Sequence, residues 1–223
     1  MLNELLYELK SRGVNIVKVV DISMLSAKEK RGYSVAILIG VALSPGYISR
    51  LSKVNVSDCK EFSEKEHAVD ELAEWVADYI KAQGFKAYAQ SERNLIDGDY
   101  DADSKTTPLP HKKVAMLAGL GWIGKSNLLV TQEYGSALCM CSVLTNAPFP
   151  AQKKPIMKSK CGACRICKDI CPAKVIHGTQ WEEGIDRDLI IDVYHCEGCL
   201  KCMIKCIWTQ RYINSNIYEK ELL

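Results

Sequence analysis

The residues best equipped for chemistry are the cysteines, and their spacing says which chemistry. Cys161-x2-Cys164-x2-Cys167-x3-Cys171-Pro172 recurs 35 positions later as Cys196-x2-Cys199-x2-Cys202-x3-Cys206. Three thiolates at i, i+3 and i+6 on a tightly wound loop converge on one face of a cubane, and a remote cysteine closes the fourth corner. In the bacterial two-cluster spacing the fourth cysteine of each run ligates the cluster of the other run. The pattern therefore assigns one [4Fe–4S] cluster to Cys161, Cys164, Cys167 and Cys206, and a second to Cys196, Cys199, Cys202 and Cys171. Gly162, Ala163 and Gly198 let the backbone approach and turn N–H groups toward sulfur, which tunes the potential. Zinc is the alternative, because Cys-x2-Cys is also a zinc spacing and soft thiolates accept either metal. A zinc site would use one pair from each half and leave the third and fourth cysteines of each run unexplained. Ile207 stands where a proline often follows the second run; that proline shapes the turn and binds no iron.

The wider composition agrees. Of 11 cysteines in 223 residues, only Cys59, Cys139 and Cys141 precede residue 160. The N-terminus, MLNELLYELKSRG, carries acids and no apolar stretch before a small-residue cleavage site, so it does not read as a signal peptide. Cysteines in that context argue for metal or redox chemistry rather than disulfides. The longest apolar run, Val35 to Leu43, is too short to span a bilayer. A cytoplasmic, oxygen-sensitive protein of anaerobic chemistry with no membrane partner is expected. Lys+Arg at 29 against Asp+Glu at 27 does not announce a nucleic-acid binder. Residues 151–180 hold six Lys and one Arg against one Asp. That segment could dock an acidic electron donor or RNA phosphate. With no aromatic residues between the charges to act as stacking platforms, a solvated face offsetting anionic clusters is the favoured reading.

The elements that must position these residues divide at Pro148, Pro150 and Pro155, giving residues 1–150 and 151–223. In the first part, Leu2, Leu5, Leu6 and Leu9 lie at helical spacing before Gly13, and Val14–Val20 reads as a strand. Tyr33–Leu43 reads as a buried strand closed by Ser44-Pro45-Gly46. Ser63 and Glu66 form a capping-box pattern ahead of a helix ending at Gly84, and Phe85–Ala89 is a further strand. Helix and strand alternate around a sheet. The second part reads as a small ferredoxin-like module, so the fold class is α+β.

Gly119-Leu-Gly-Trp-Ile-Gly-Lys-Ser126 fits both G-x-G-x-x-G and the P-loop pattern. Both need a following helix, and Asn127 to Gly135 is too short and β-like to be one; the acid expected about 20 residues on is replaced by Cys139. The same segment, Ala118 to Lys125, followed by Leu128-Leu129, Glu133-Tyr134-Gly135-Ser136 and Val143-Leu144-Thr145, resembles epoxyqueuosine reductase. That family consists of cobalamin-dependent iron–sulfur enzymes of tRNA modification related to the reductive dehalogenases. The similarity runs into the cysteine module, where Cys206-Ile207-Trp208 resembles the family's Cys-Pro-Trp, and is specific from about Pro108 to Trp208.

The resemblance implies a nitroreductase-like α/β domain holding base-off cobalamin over a double-cluster module. It makes Gly119, Gly121, Trp122, Gly124, Lys125 and Ser126 a close-approach loop beside the corrin, with flat backbone at the glycines. Electrons would come from a donor such as ferredoxin or flavodoxin and pass through the clusters to a small-molecule substrate. Alternatively, the chain would deliver them to a partner such as a corrinoid protein. Lys105 stands where the family carries an acidic proton donor three residues before the proline, and the chain lacks the C-terminal helical repeats of longer members. Both speak against epoxyqueuosine as substrate and tRNA as partner, and for a truncated relative. Tyr47, just after a strand end, and His67, at a helix start, are the candidate catalytic proton donors. Cys139 and Cys141 read as buried strand residues, Cys59 as incidental, and His177 and His195 as packing or surface groups beside saturated clusters.

Overall fold

A computed structural model describes residues 1–53 and 58–221. In chain order the elements begin α1 (Leu2–Ser11), β1 (Ile16–Asp21), α2 (Ala27–Lys30), β2 (Val35–Ala42), α3 (Pro45–Lys53) and α4 (Lys60–Ala82). They continue with β3 (Ala87–Ala89), α5 (Glu92–Gly98), α6 (His111–Leu117), β4 (Gly121–Ile123), β5 (Leu129–Thr131) and β6 (Leu138–Thr145). The cysteine-rich end carries α7 (Ile166–Ile170), a 3-10 turn at Arg187–Leu189, α8 (Lys201–Ile204) and α9 (Ile207–Glu221). Two compact units interleave along the chain: residues 1–41, 64–120 and 139–156 form one, and 42–63, 121–138 and 157–223 the other. A single cut at 150/151 does not describe this division, because residues 42–63 and 121–138 group with the cysteine-rich end.

The first unit is built on a sheet of order β1-β2-β6-β3. β1 and β2 are antiparallel, with Ile16 opposite Gly40 and Asp21 opposite Val35. Every residue of β2 is buried, which is why its sequence is apolar without alternation. β3 pairs antiparallel with β6, Ala87 opposite Thr145. α1 buries Leu5 and Leu9, one turn apart, and Gly13 follows at φ +80. The capping box of this unit is Ser26 with Glu29, at the start of α2. Ser63 and Glu66 do not cap: Ser63 N–H already donates to Cys59 O, inside a helix that Asp58 starts by accepting from Lys60 N–H. Residues 111–117 are helical, entered through Pro110.

Ser44-Pro45-Gly46 follows the end of β2 as expected, and in the second unit Ser44 and Pro45 also open α3. Proline is preset for the first helical position, and Ser44 Oγ accepts from Tyr47 N–H at 3.2 Å. α3 packs on α9 and α8, and α7 packs on α8. β4 and β5 form a hairpin with Gly121 opposite Thr131 and Ile123 opposite Leu129. The loop after it is pinned to α9, Ser136 N–H donating to Thr209 Oγ1 at 3.0 Å. In the cysteine-rich end one apolar cluster gathers Cys171, Val175, Ile176 and Ile191, with Cys167, Ala173, Val193 and Cys202 packed against it. Among the described residues no helix is long and apolar enough to cross a membrane.

Candidate metal centre

Cys161 and Cys164 sit on the loop before α7, Cys167 lies within α7, and Cys206 occupies the junction of α8 and α9. All four line one cavity, together with Gly124, Lys125, Val130 and Trp208, around about 390 Å³ of empty space that includes open solvent. Cys164 N–H donates to Cys161 O at 3.0 Å, which winds the loop tightly enough to turn successive thiols the same way. The grouping is the crossed one: Cys206 comes from the second run. Cys171 from the first run packs in the apolar cluster against which Cys202 of the second is also packed.

Crowding and burial set the electrostatics. Burial pushes the Cys167 thiol up to about 11, and the neighbouring Cys161, Cys206 and Cys164 push the same way. Cys202 is pushed up to about 12, by burial first and then by Cys199, Cys167 and Cys196. Burial also raises Cys206, against the N–H groups of Trp208 and Thr209 and the Ser136 hydroxyl, which favour its thiolate. Burial thus favours the protonated form of Cys167, Cys202 and Cys206, whose protons metal binding must displace.

A cluster fits what these residues leave open. The indole N–H of Trp208 is buried without a partner among the described residues, and Trp208 lines the cysteine cavity. A buried donor is costly when unbonded, and the sulfurs of a cluster accept such bonds. Trp122 packs edge-on to Trp208 with ring centroids 5.0 Å apart. Among the described residues, no three or more His, Cys, Asp or Glu side chains close around a point as they would on a single ion.

At two of its glycines the segment packs on the chain itself. A Cβ on Gly121 would stand 2.1 Å from Val130 O, and one on Gly119 2.9 Å from Lys154 Cβ, so the chain itself occupies both approaches. Trp122 is fully buried. Gly124, Lys125 and Ser126 line the cysteine cavity. Lys125 Nζ donates to Gly162 O at 2.6 Å and to Cys164 O at 3.2 Å. With β5 following in place of a helix, the segment is no phosphate loop.

The two candidate proton donors are not brought together. Tyr47 is buried and donates its hydroxyl to Asp58 O, while burial pushes its pKa up. The His67 side chain, 78% exposed, pairs with Glu71 on the surface of α4. Lys105 is exposed in a tight turn at φ +48. Cys139 and Cys141 are buried in β6. His195 pairs with Asp192. Cys59, incidental by sequence, has its thiol 3.9 Å from Gly198 O in the loop between Cys196 and Cys199. No sequence signal could have found it, since 139 residues separate the two. The other group missed is His111, whose Nδ1 lies 2.8 Å from Ser142 Oγ and which burial holds down to about 4.

No protein-family model matches the chain. The epoxyqueuosine reductase of Bacillus cereus is 32% identical over 144 residues, which is 63% of this chain and 36% of that protein. The chain thus spans little more than a third of the length of this curated relative. Among solved structures, an epoxyqueuosine reductase with an epoxyqueuosine-modified tRNA stem loop superposes with a TM-score of 0.61 at 16% identity, over 93% of this chain and 65% of that one. The catabolic reductive dehalogenase NpRdhA, in complex with 3-bromo-4-hydroxybenzoic acid, gives 0.71 at 17% identity, over 92% of this chain and 31% of that one. With a tRNA complex among these relatives, the expectation against tRNA as a partner finds no support. By sequence over most of its length and by fold over nearly all of it, the chain is a homologue of the epoxyqueuosine reductases and shares its architecture with the reductive dehalogenases.

Proposed function

We propose that this chain is an iron–sulfur protein of the reductase type. In this reading it holds two [4Fe–4S] clusters on crossed cysteine sets and sends their electrons to a corrinoid that reduces a substrate other than epoxyqueuosine. One observation carries it: Cys206 shares a cavity with Cys161, Cys164 and Cys167, as the crossed spacing requires. When bound, each cluster supplies a store for one electron. The residues do the rest. Four thiolates hold the first site, Lys125 ties the β4–β5 turn to the Cys161–Cys164 loop, and Trp208, packed edge-on by Trp122, lines it. Cys196 is exposed, which leaves the second site open to a donor such as ferredoxin or flavodoxin. The exposed lysine at position 105 supplies no acid for the family's proton transfer and motivates the different substrate.

For the corrinoid the expected residues do not fit: Gly119 and Gly121 are filled by the chain, and Trp122 has no free face. That observation favours a second reading, in which the corrinoid belongs to a partner protein and this chain only delivers electrons. Anaerobic purification with iron, sulfide and cobalt analysis, followed by titration with cobalamin, separates the two. A corrin spectral shift saturating at one equivalent supports the enzyme. No shift, with about eight iron atoms retained, supports the carrier. Binding of an unmodified or epoxyqueuosine-modified tRNA stem loop, measured by filter retention, tests tRNA as a partner.

A further inference from the structure

We infer that Lys125 makes the first cysteine site the higher-potential of the two, so that electrons run from the exposed second site to the first. The inference rests on the two-cluster reading and deepens it. Lys125 stands at the tip of the β4–β5 hairpin, and its ammonium is held by two carbonyls, Gly162 O at 2.6 Å and Cys164 O at 3.2 Å. Both belong to the loop that carries Cys161 and Cys164, and Lys125 lines the cavity that all four thiols of the set share. The hairpin is seated on that cavity: a Cβ on Gly124 would lie 3.7 Å from Cys161 Sγ and press to 2.8 Å on Val130 Cγ2.

Reduction adds one negative charge to a cluster and moves no proton on its thiolates. A cation fixed beside it therefore favours the reduced form. The second site differs in the charge its own loop carries and in having one exposed cysteine, Cys199 and Cys202 being half-buried and Cys171 buried. Cys196 is exposed to solvent. Residues 182–199 carry six acids, among them Glu197 and Asp192, against Arg187 as the one Lys or Arg. Negative charge there favours the oxidised form.

The test is an EPR-monitored redox titration of the holoprotein and its variants, each first checked for iron. About eight iron atoms in the wild type are the precondition; if they are absent, the two-cluster reading fails rather than this one. The wild type should reduce in two separated steps, the upper of which disappears in Cys206→Ala. Lys125→Met, equal in length and uncharged, should move the upper step to more negative potential and leave the lower one in place. Lys125→Arg should restore it, and Lys158→Met, the same charge change outside the cavity lining, should move neither. Lys125→Gln keeps a donor for the two carbonyls and should match Lys125→Met; it carries the test if the Met variant loses iron. An upper step unmoved in an iron-replete neutral variant, or a shift of the lower step instead, overturns the inference. So does loss of iron in both neutral variants, which would make Lys125 an assembly tie only.

Discussion

Replacing Gly121 with alanine should cost the hairpin its register and the first cysteine site its metal. The added Cβ would meet Val130 O at 2.1 Å, Val130 C at 2.9 Å and Thr131 Cα at 3.3 Å. Carbon–oxygen contacts settle at about 3.3–3.6 Å, so the strands must part by roughly 1 Å, and the obstacle is backbone that cannot rotate away. Gly121 is paired with Thr131, so parting breaks the β4–β5 ladder at its first rung. Overpacking of this kind costs about 2–4 kcal/mol, a Tm lower by about 5–15 °C for a chain of this size. Because Gly124, Lys125 and Ser126 of the same hairpin line the cysteine cavity, bound iron should fall from about eight toward about four atoms per chain. Anaerobic thermal melts followed by circular dichroism, with metal analysis of the same sample, read both effects. Gly13→Ala is the calibrating variant. At φ +80, with nothing within 4 Å of its added Cβ, it pays only backbone strain of about 1–2 kcal/mol and should keep all its iron. Wild-type stability and iron in Gly121→Ala would refute the placement of the hairpin over the thiols.

Three further outcomes are expected. Cys206→Ala should strip or convert the cluster bound by Cys161, Cys164 and Cys167 and spare the one beside it in sequence, which Mössbauer spectra of the two populations resolve. Burial holds His111 down to about 4 against 6.5 for an ordinary imidazole, so the unfolded chain takes up that proton first. Stability should therefore be complete above about pH 6.5 and fall as pH drops toward 4, by at most about 3 kcal/mol. His111→Gln should flatten that part of the wild-type profile in melts compared between pH 7 and 4.5. Chelation under reducing conditions should expose the amides of residues 157–221 to hydrogen exchange while β1, β2 and β6 stay protected. Cys171, Cys167 and Cys202 themselves make up much of the packing around Val175, Ile176 and Ile191, so this part leans on its metal; retained protection there would contradict this.

What the sequence made legible was what local spacing encodes. The leucines of α1 and the unbroken apolar run of β2 named their elements, since period and burial are written into neighbouring residues. The crossed cysteine partition was read from spacing in the same way, and Cys206 lines a cavity with Cys161, Cys164 and Cys167. Ser44-Pro45-Gly46 marked the end of β2 but not the start of α3, because the signs that start a helix, a serine cap and a first-turn proline, are also turn residues. Ser63 misled because Asp58 had already opened the helix upstream. The glycine segment announced a close approach, and Gly121 makes one to the Val130 carbonyl while Gly124, Lys125 and Ser126 line the cysteine cavity. Cys59 near Gly198, and the grouping of residues 42–63 and 121–138 with the cysteine module, depend on long-range closure that no window of sequence contains.

The central claim is that two cubanes are held by crossed cysteine sets, and metal analysis joined to Mössbauer spectroscopy of anaerobically purified protein tests it most directly. The account predicts about eight iron and about eight sulfide per chain, all in [4Fe–4S] form. Two zinc ions per chain, with no iron taken up on anaerobic reconstitution, would contradict it.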